Sequence, residues 1–369
     1  MAEESVRFGI LGCANIANKL SRAINLAPNS TLHAISSRSL EKATAFASTN
    51  NLSPEVKLYG SYDEVLDDPS VDAVYIPLPT SLHLEWALKS VQKKKHILLE
   101  KPPALSVEEL DKIIEACNAN GLQLMDCTMW MHHPRTYRMK QLLGNPDLFG
   151  NLKSIHSNFA YCAGGDFLTK DIRVKPDRDA LGALGDAGWY SIRAILWAND
   201  YQMPQTVTAL PGHVVNEAGV ILACGATFLW QDGRVATFEC SFLSHMSMDI
   251  IVHGSRGCLS LRDFVVPYEE NCASFLSSSN VSAYFLSSSN VKFPGNFDTG
   301  WDPRPTEHSV ITELPQEALM VEEFSRLVKS IRDIGAKPDL QWSAITRKTQ
   351  ILVNAVNTSI KEGLISVTL

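Results

Sequence analysis

The 369-residue chain has no excess of basic charge: 33 Lys and Arg stand against 40 Asp and Glu, a net charge of −7. A field of that sign gives no footing to a nucleic-acid backbone or an anionic membrane surface. The one compact basic run, Lys93-Lys94-Lys95, falls where a helix should end, and cations there complement the helix dipole. A bilayer span needs about 20 consecutive apolar residues, and the richest stretch, residues 218–230, is shorter and is broken by Gly219, Gly225 and Thr227. The opening Met1-Ala-Glu-Glu-Ser5 is acidic and runs straight into a strand pattern, unlike a secretory leader. Eight cysteines are scattered through apolar runs with no Cys-x-x-Cys pair. They read as buried free thiols of a reducing compartment, not as a disulfide frame or a zinc site. His-Glu-x-x-His, Gly-x-Ser-x-Gly and Gly-x-x-x-x-Gly-Lys are all missing, and the adjacent His132 and His133 point oppositely on extended backbone. These absences leave a cytoplasmic, metal-free protein with no membrane or nucleic-acid partner as the expectation.

What is present is a chain long enough for about two domains. Short apolar runs at residues 6–11, 32–36, 71–76, 96–100 and 123–127 alternate with helical patterns at 14–27, 40–50, 82–93 and 107–120. The last helix opens with a capping box, Ser106-x-x-Glu109. Such alternation predicts an α/β fold, a Rossmann-type doubly wound parallel sheet over residues 1–127, with ligands outside the carboxyl ends of its strands. From about residue 150 the pattern changes to longer strands at 152–159, 207–210, 220–230, 235–242, 248–253 and 258–261. Residues 128–369 are therefore expected to form a second, α+β domain. It has a large, mostly antiparallel open sheet, and helices at 186–198 and 315–334 lie against one face. A final helix spans about 344–361. The heptad Phe275-Leu-Ser-Ser-Ser-Asn-Val281 recurs at 285–291, which suits an exposed loop duplicated by slippage.

The first strand ends in Gly12-Cys13-Ala14-Asn15-Ile16-Ala17. As a dinucleotide fingerprint, Gly12 allows the tight turn, Ala14 the close approach of a diphosphate, and Ala17 the packing of helix on strand. The first helical amides, at Asn15 and Ile16, then face the phosphates. A plain tight turn from strand to helix is the alternative. The second strand ends Ser36-Ser37-Arg38 without the Asp or Glu that binds an NAD ribose. Ser37 and Arg38 suit a 2′-phosphate, which favours NADP over NAD, unless Arg38 is merely an exposed loop cation.

Two further segments, Pro77-Leu78-Pro79-Thr80-Ser81-Leu82-His83 and Glu100-Lys101-Pro102-Pro103, follow the fourth and fifth strands. With the fingerprint, with Gly182-Ala-Leu-Gly185-Asp186-Ala-Gly188-Trp-Tyr190, and with the turn around Gly254-Ser-Arg-Gly257, they resemble the glucose–fructose oxidoreductase, inositol dehydrogenase and rhizopine-catabolism (Gfo/Idh/MocA) family. The resemblance runs from about residue 6 to about 362. It implies an NADP-dependent oxidoreductase acting on CH–OH groups of a sugar-like or vicinal-diol substrate. Leu78, Pro79, Thr80, His83 and Glu100 would lie at the cofactor, and Lys101 beside both nicotinamide and substrate. Asp186 and Tyr190, at i and i+4, would complete the catalytic group. A tyrosine at the last position is similar to the family's dimeric dihydrodiol dehydrogenases, in which NADP is the cofactor. A nearby Lys101 cation would be needed to make that phenol a usable acid/base. The resemblance also implies a homodimer or higher homo-oligomer through the second sheet, and a last helix that returns to the first domain.

Three departures bear on the substrate. Ala180-Leu181-Gly182 replaces a glycine triplet, and Arg193 stands where many relatives carry an acid or amide. Met129-Trp130-Met131 gives the sixth strand an apolar exit, with Trp130 expected as a platform for a sugar ring or an aromatic diol. A non-catalytic NADP-sensing or scaffold protein of the same fold, and an NAD-dependent lyase or glycosidase with an internal redox cycle, are the rival readings. Net cofactor turnover separates them.

Overall fold

In the first 126 residues, short apolar runs form central strands buried on both faces, with the three-residue strand Lys57–Tyr59 at one edge. A computed structural model, which describes residues 5–279 and 305–369, places them at β1 (Val6–Leu11), β2 (Ser30–Ser36), β3 (Lys57–Tyr59), β4 (Ala73–Ile76), β5 (His96–Leu99) and β6 (Leu124–Asp126). All pair in parallel in the order β3-β2-β1-β4-β5-β6. The order reverses between β1 and β4, which opens a crevice beyond their carboxyl ends. Helices α1 (Asn15–Leu26), α2 (Leu40–Thr49), α3 (Tyr62–Asp67), α4 (His83–Gln92) and α5 (Val107–Ala119) connect the strands.

The complete capping box belongs to α3, where Ser61 and Glu64 satisfy each other's amides. At α5, Ser106 accepts from Glu109 N, but the Glu109 carboxylate turns to Leu105 N at 3.0 Å. Lys95 is not a solvated cation at a helix end. It is buried, and its Nζ donates to the carbonyls of Asp68 and Val71 at 2.7 Å each, tying the turn after α3 to the start of β5.

The rest of the chain builds α6 (Pro134–Leu143), β7 (Leu152–Ala160) and α7 (Gly165–Lys170). A π-turn, Leu184–Gly188, then runs into α8 (Trp189–Ala198). Strands β8 (Thr206–Ala209), β9 (Val214–Val215), β10 (Ile221–Leu229), β11 (Val235–Ser241), β12 (Ser247–Gly254), β13 (Gly257–Leu261), β14 (Cys272–Ser279) and β15 (Thr306–Ile311) follow. The chain closes with α9 (Gln316–Ile334), α10 (Gln341–Lys361) and β16 (Val367–Thr368). Among the described residues ten strands form one sheet, β15-β14-β13-β12-β7-β11-β10-β8-β16, with β9 beside β10. Its pairings are antiparallel except β11 with β7. Period-two alternation puts Ala226, Phe228, Ala236, Phe238, Ile250 and Val252 on the inner face, against α8, every residue of which is buried. Among the described residues no helix is long and apolar enough to cross a membrane.

The amphipathic stripe of α9 was expected on this second sheet, and the structure puts it on the first. Met320, Val321 and Phe324 share a core with Phe8 and Ile24, and the Phe8 and Phe324 rings are 5.8 Å apart. Helix α10 lies between α8 and α5, with Arg347 paired to Asp111 of α5 at 2.6 Å. The first copy of the repeated heptad is no exposed loop as far as it is described. Phe275 is buried in β14, and the second copy, residues 285–291, lies outside the described residues. The thiols are all free but not all buried: Cys162 is exposed, Cys13, Cys258 and Cys272 are half-buried, and the Cys224 and Cys240 sulfurs face each other at 3.5 Å.

Candidate active site

A cleft of about 990 Å³ runs from the carboxyl ends of β1 and β2, past β4 and β5, to the π-turn and α8 of the second lobe. At Gly12 the backbone turns with φ +118°, and a Cβ there would stand 3.1 Å from the Leu78 side chain, so glycine serves both the conformation and the space. The next element, α1, begins at an extended Ala14 with no side-chain cap. Its first amides, at Asn15 and Ile16, lie in the cleft wall with no side chain to satisfy them. A narrow turn leading into an uncapped helix start is what a dinucleotide diphosphate fits. Ser37 and Arg38, beyond β2, line the same end with Lys42, whereas Glu41 is not among the lining residues. Leu78, Pro79 and Thr80 form the opposite wall, with Thr80 N donating to Asp179 Oδ1 at 2.6 Å.

At the other end of the cleft, β5 delivers Glu100 and Lys101, and the Lys101–Pro102 bond is cis. Lys101 Nζ lies 2.6 Å from Asp186 Oδ1 and 3.1 Å from the Asp186 carbonyl, both on the π-turn. The same ammonium stands 4.8 Å from the centre of the Tyr190 ring. Two residues that the sequence did not single out complete the cluster. Tyr161 OH donates to Asp186 Oδ2 at 2.9 Å, and Arg173 Nε lies 3.1 Å from Asp186 Oδ1. Burial alone would raise the Asp186 carboxyl, but the Lys101 and Arg173 charges, with hydrogen bonds from Lys101 and Tyr161, hold it well below the usual carboxylate range. It is an anion at any working pH.

Tyr190 behaves otherwise than expected. Burial drives its phenol well above its ordinary value, and the Glu100 and Asp186 carboxyls add to the rise. The Tyr190 phenol is therefore held in its protonated form. Glu100 is pushed up by burial, opposed by Tyr75, whose hydroxyl donates to it at 2.6 Å, and by Lys101.

Two expected site residues stand apart from the cleft. Trp130 is 2% exposed and packs edge-on against Trp197 and Phe264 at 5.6 and 5.8 Å. The short 3₁₀ turn Met129–His132 rotates it into the core and leaves Met129 in the cleft wall instead. His83 is also buried, with Nε2 2.8 Å from the Leu78 carbonyl and Nδ1 3.2 Å from that of Pro103. Burial lowers the imidazole pKa, and the neutral ring donates its single N–H to one of these two carbonyls, on the loops after β4 and β5. Arg193, the departure noted on α8, is fully buried, with Nη2 2.7 Å from Asp126 Oδ2 and Nε 2.7 Å from Thr349 Oγ1. Asp126 also accepts from Thr128 and Thr346, so β6, α8 and α10 meet at one carboxylate.

A six-stranded parallel sheet with a dinucleotide turn, facing a Lys–Asp–Tyr cluster at the far end of the same cleft, defines a nicotinamide-dependent oxidoreductase. Comparison with known proteins agrees. Residues 6–126 match an oxidoreductase family model with an NAD-binding Rossmann fold, and residues 138–260 match a GFO/IDH/MocA C-terminal domain. D-xylose 1-dehydrogenase (NADP+) 2 of Haloferax volcanii is 36% identical over 240 residues, covering 64% of this chain and 69% of that protein. Trans-1,2-dihydrobenzene-1,2-diol dehydrogenase of Danio rerio is 25% identical over 335 residues, covering 89% and 95%. A solved 3-ketoreductase from Actinomadura kijaniata, in complex with NADP and TDP-benzene, has the same fold, with a TM-score of 0.76 at 24% identity over 96% of this chain and 98% of that one. The chain belongs to the Gfo/Idh/MocA family of oxidoreductases.

Proposed function

We propose that the protein is an NADP-dependent oxidoreductase that transfers hydride between nicotinamide and a hydroxyl or carbonyl carbon of a sugar-like or vicinal-diol substrate. The observation that carries this reading is the convergence of Lys101, Asp186 and Tyr190 in the cleft that begins at the Gly12 turn. Ser37, Arg38 and Lys42 at the other end give a 2′-phosphate two cations and a hydroxyl, which supports NADP. The named cofactor of the Haloferax volcanii relative points the same way.

The bound dinucleotide supplies the hydride acceptor or donor. The chain's own residues manage the oxygen. Oxidation of an alcohol carbon needs the hydroxyl proton removed as hydride leaves, and reduction needs it returned. In reduction the Lys101 ammonium turns from Asp186 to that oxygen, donates the proton and stabilises the negative charge that develops on it; in oxidation the amine form of the same side chain takes the hydroxyl proton. Tyr190 OH, kept protonated, donates a second hydrogen bond. Met129, Phe159 and Leu181 line the cleft around these groups and limit water there.

The outer face of the second sheet carries Thr237, His156 and Ile251 in one row across three strands, which supports a homodimer through that face. Eight free thiols support a cytoplasmic location. The reading is tested by titrating the protein with NADPH and NADH, following energy transfer from tryptophan. Screening D-xylose and trans-cyclohexane-1,2-diol for net NADPH formation follows. Tight NADPH binding, weak NADH binding and turnover of one substrate are expected. No binding of either dinucleotide overturns the reading.

A further inference from the structure

Arg173 belongs to no motif and to none of the residues expected at the site, yet it touches the carboxylate on which the cluster depends. It sits in a 3₁₀ turn, Ile172–Val174, capped by Asp171. Asp171 Oδ1 accepts from Arg173 N at 2.9 Å and from its Nη1 at 3.1 Å, so the turn fixes the direction of its own side chain. The Phe167 ring lies beneath the guanidinium, its centroid at 6.0 Å. Nε then reaches the very Asp186 oxygen that Lys101 Nζ occupies, at 3.1 and 2.6 Å. Arg173 is 37% exposed at the cleft, against 12% for Lys101 and 14% for Asp186.

The two cations come from opposite lobes, and that decides their roles. For Lys101 to serve a substrate oxygen, its ammonium must loosen its hold on Asp186. A carboxylate left in a cleft without a counter-charge is strongly disfavoured, so a lone aspartate would keep the lysine to itself. Arg173 removes that obstacle, because Asp186 stays paired while Lys101 turns away. With Asp171 and Asp186 both on its fork, Arg173 has its charge matched by the protein, which argues against a role as an anchor for a substrate anion.

We propose that Arg173 is a positioning residue for hydride transfer: a stand-in counter-ion that holds Asp186 in place and frees Lys101 for the substrate oxygen. The proposal rests on the function proposed above. Its test uses the full chain, NADP+ and whichever of D-xylose and trans-cyclohexane-1,2-diol wild type oxidises. Arg173→Gln is expected to lower kcat about tenfold or more while KM for the substrate moves less than about threefold, since the lost effect belongs to the reacting complex. NADPH affinity, read by tryptophan energy transfer, stays within about twofold, because the diphosphate turn is untouched. Arg173→Lys retains most of kcat, and added guanidinium restores part of the activity of Arg173→Ala. A kcat for Arg173→Gln within twofold of wild type overturns the proposal, as does an Arg173→Lys variant as impaired as Arg173→Gln with no rescue by guanidinium, which would mark a packing role. Lys101→Met, run alongside, separates the two levels. If it is inactive while Arg173→Gln is normal, only this inference fails; if it too is active, the site assignment fails.

Discussion

Asp186 is held by three side chains that the sequence places far apart, Lys101, Tyr161 and Arg173, and the meaning of each follows from that shared partner. Lys101→Met removes the group proposed to meet the reacting oxygen, and kcat is expected to fall at least about 100-fold, the lower range for a lost general acid–base group. Unchanged NADPH binding in the same variant would show that the loss is chemical. At the far end of the cleft, Arg38→Ala is expected to lower the preference for NADPH over NADH about tenfold, the worth of roughly one charge-assisted hydrogen bond. Paired titrations measure it, and an unchanged ratio would remove the argument from the 2′-phosphate. Lys101, Asp186 and Tyr190 were legible in the sequence because each sits in a short motif beside a strand end or on one helix. Tyr161 and Arg173 were not, since a contact with Asp186 across more than ten residues leaves no periodic trace. Trp130 and His83 were misplaced for the converse reason. A motif marks which loop borders a site but not whether a side chain in that loop turns toward the cleft or the core.

Among the elements, the π-turn that carries Asp186 is set by the glycine before it. Gly182 has φ +56°, and a Cβ there would fall 2.1 Å from the Ile221 carbonyl of β10. Gly182→Ala is therefore expected to destabilise the fold by about 2 kcal/mol or more, combining backbone strain with a clash against main chain that cannot yield. Urea unfolding measures this, and a midpoint equal to wild type would show that the turn relaxes. Strands and helices with strong period-two or 3.6-residue patterns were legible to within a few residues. The three-residue β3 and the six-residue α3 escaped, being too short to establish a period. For α9 the sequence carried the apolar stripe but not its partner, because an amphipathic helix states which face is buried and not against what. The glycine triplet reduced to Ala180-Leu181-Gly182 kept the one position where φ is positive, so the departure that clouded the sequence reading costs the turn nothing.

For the molecule as a whole, four histidines stand without charge, His83 and His133 buried and His96 and His132 half-buried. His96, His132 and His133 are lowered by burial to about 4, and His83 is lowered in the same way. An unfolded histidine titrates near 6.5. The stabilising contribution of His96, His132 and His133 is thus complete above about pH 6.5 and falls as pH drops from there toward 4, since the unfolded chain takes protons the folded one refuses. Glu100, raised by burial, works in the opposite sense, one group against four. The thermal midpoint is expected to drop clearly between pH 7 and pH 5, and a flat profile over that range would contradict the buried neutral imidazoles.

The return of α9 to the first sheet has a consequence for how this protein can be cut and recombined. A gene fragment ending at residue 127 would carry every strand of the Rossmann sheet, yet leave bare the apolar face that Met320, Val321 and Phe324 cover. The nucleotide-binding lobe is discontinuous in sequence. A chimera that exchanges it with a relative must therefore bring residues 316–334 along with the first 126, and a junction placed by sequence order alone would splice together two halves of different hydrophobic cores.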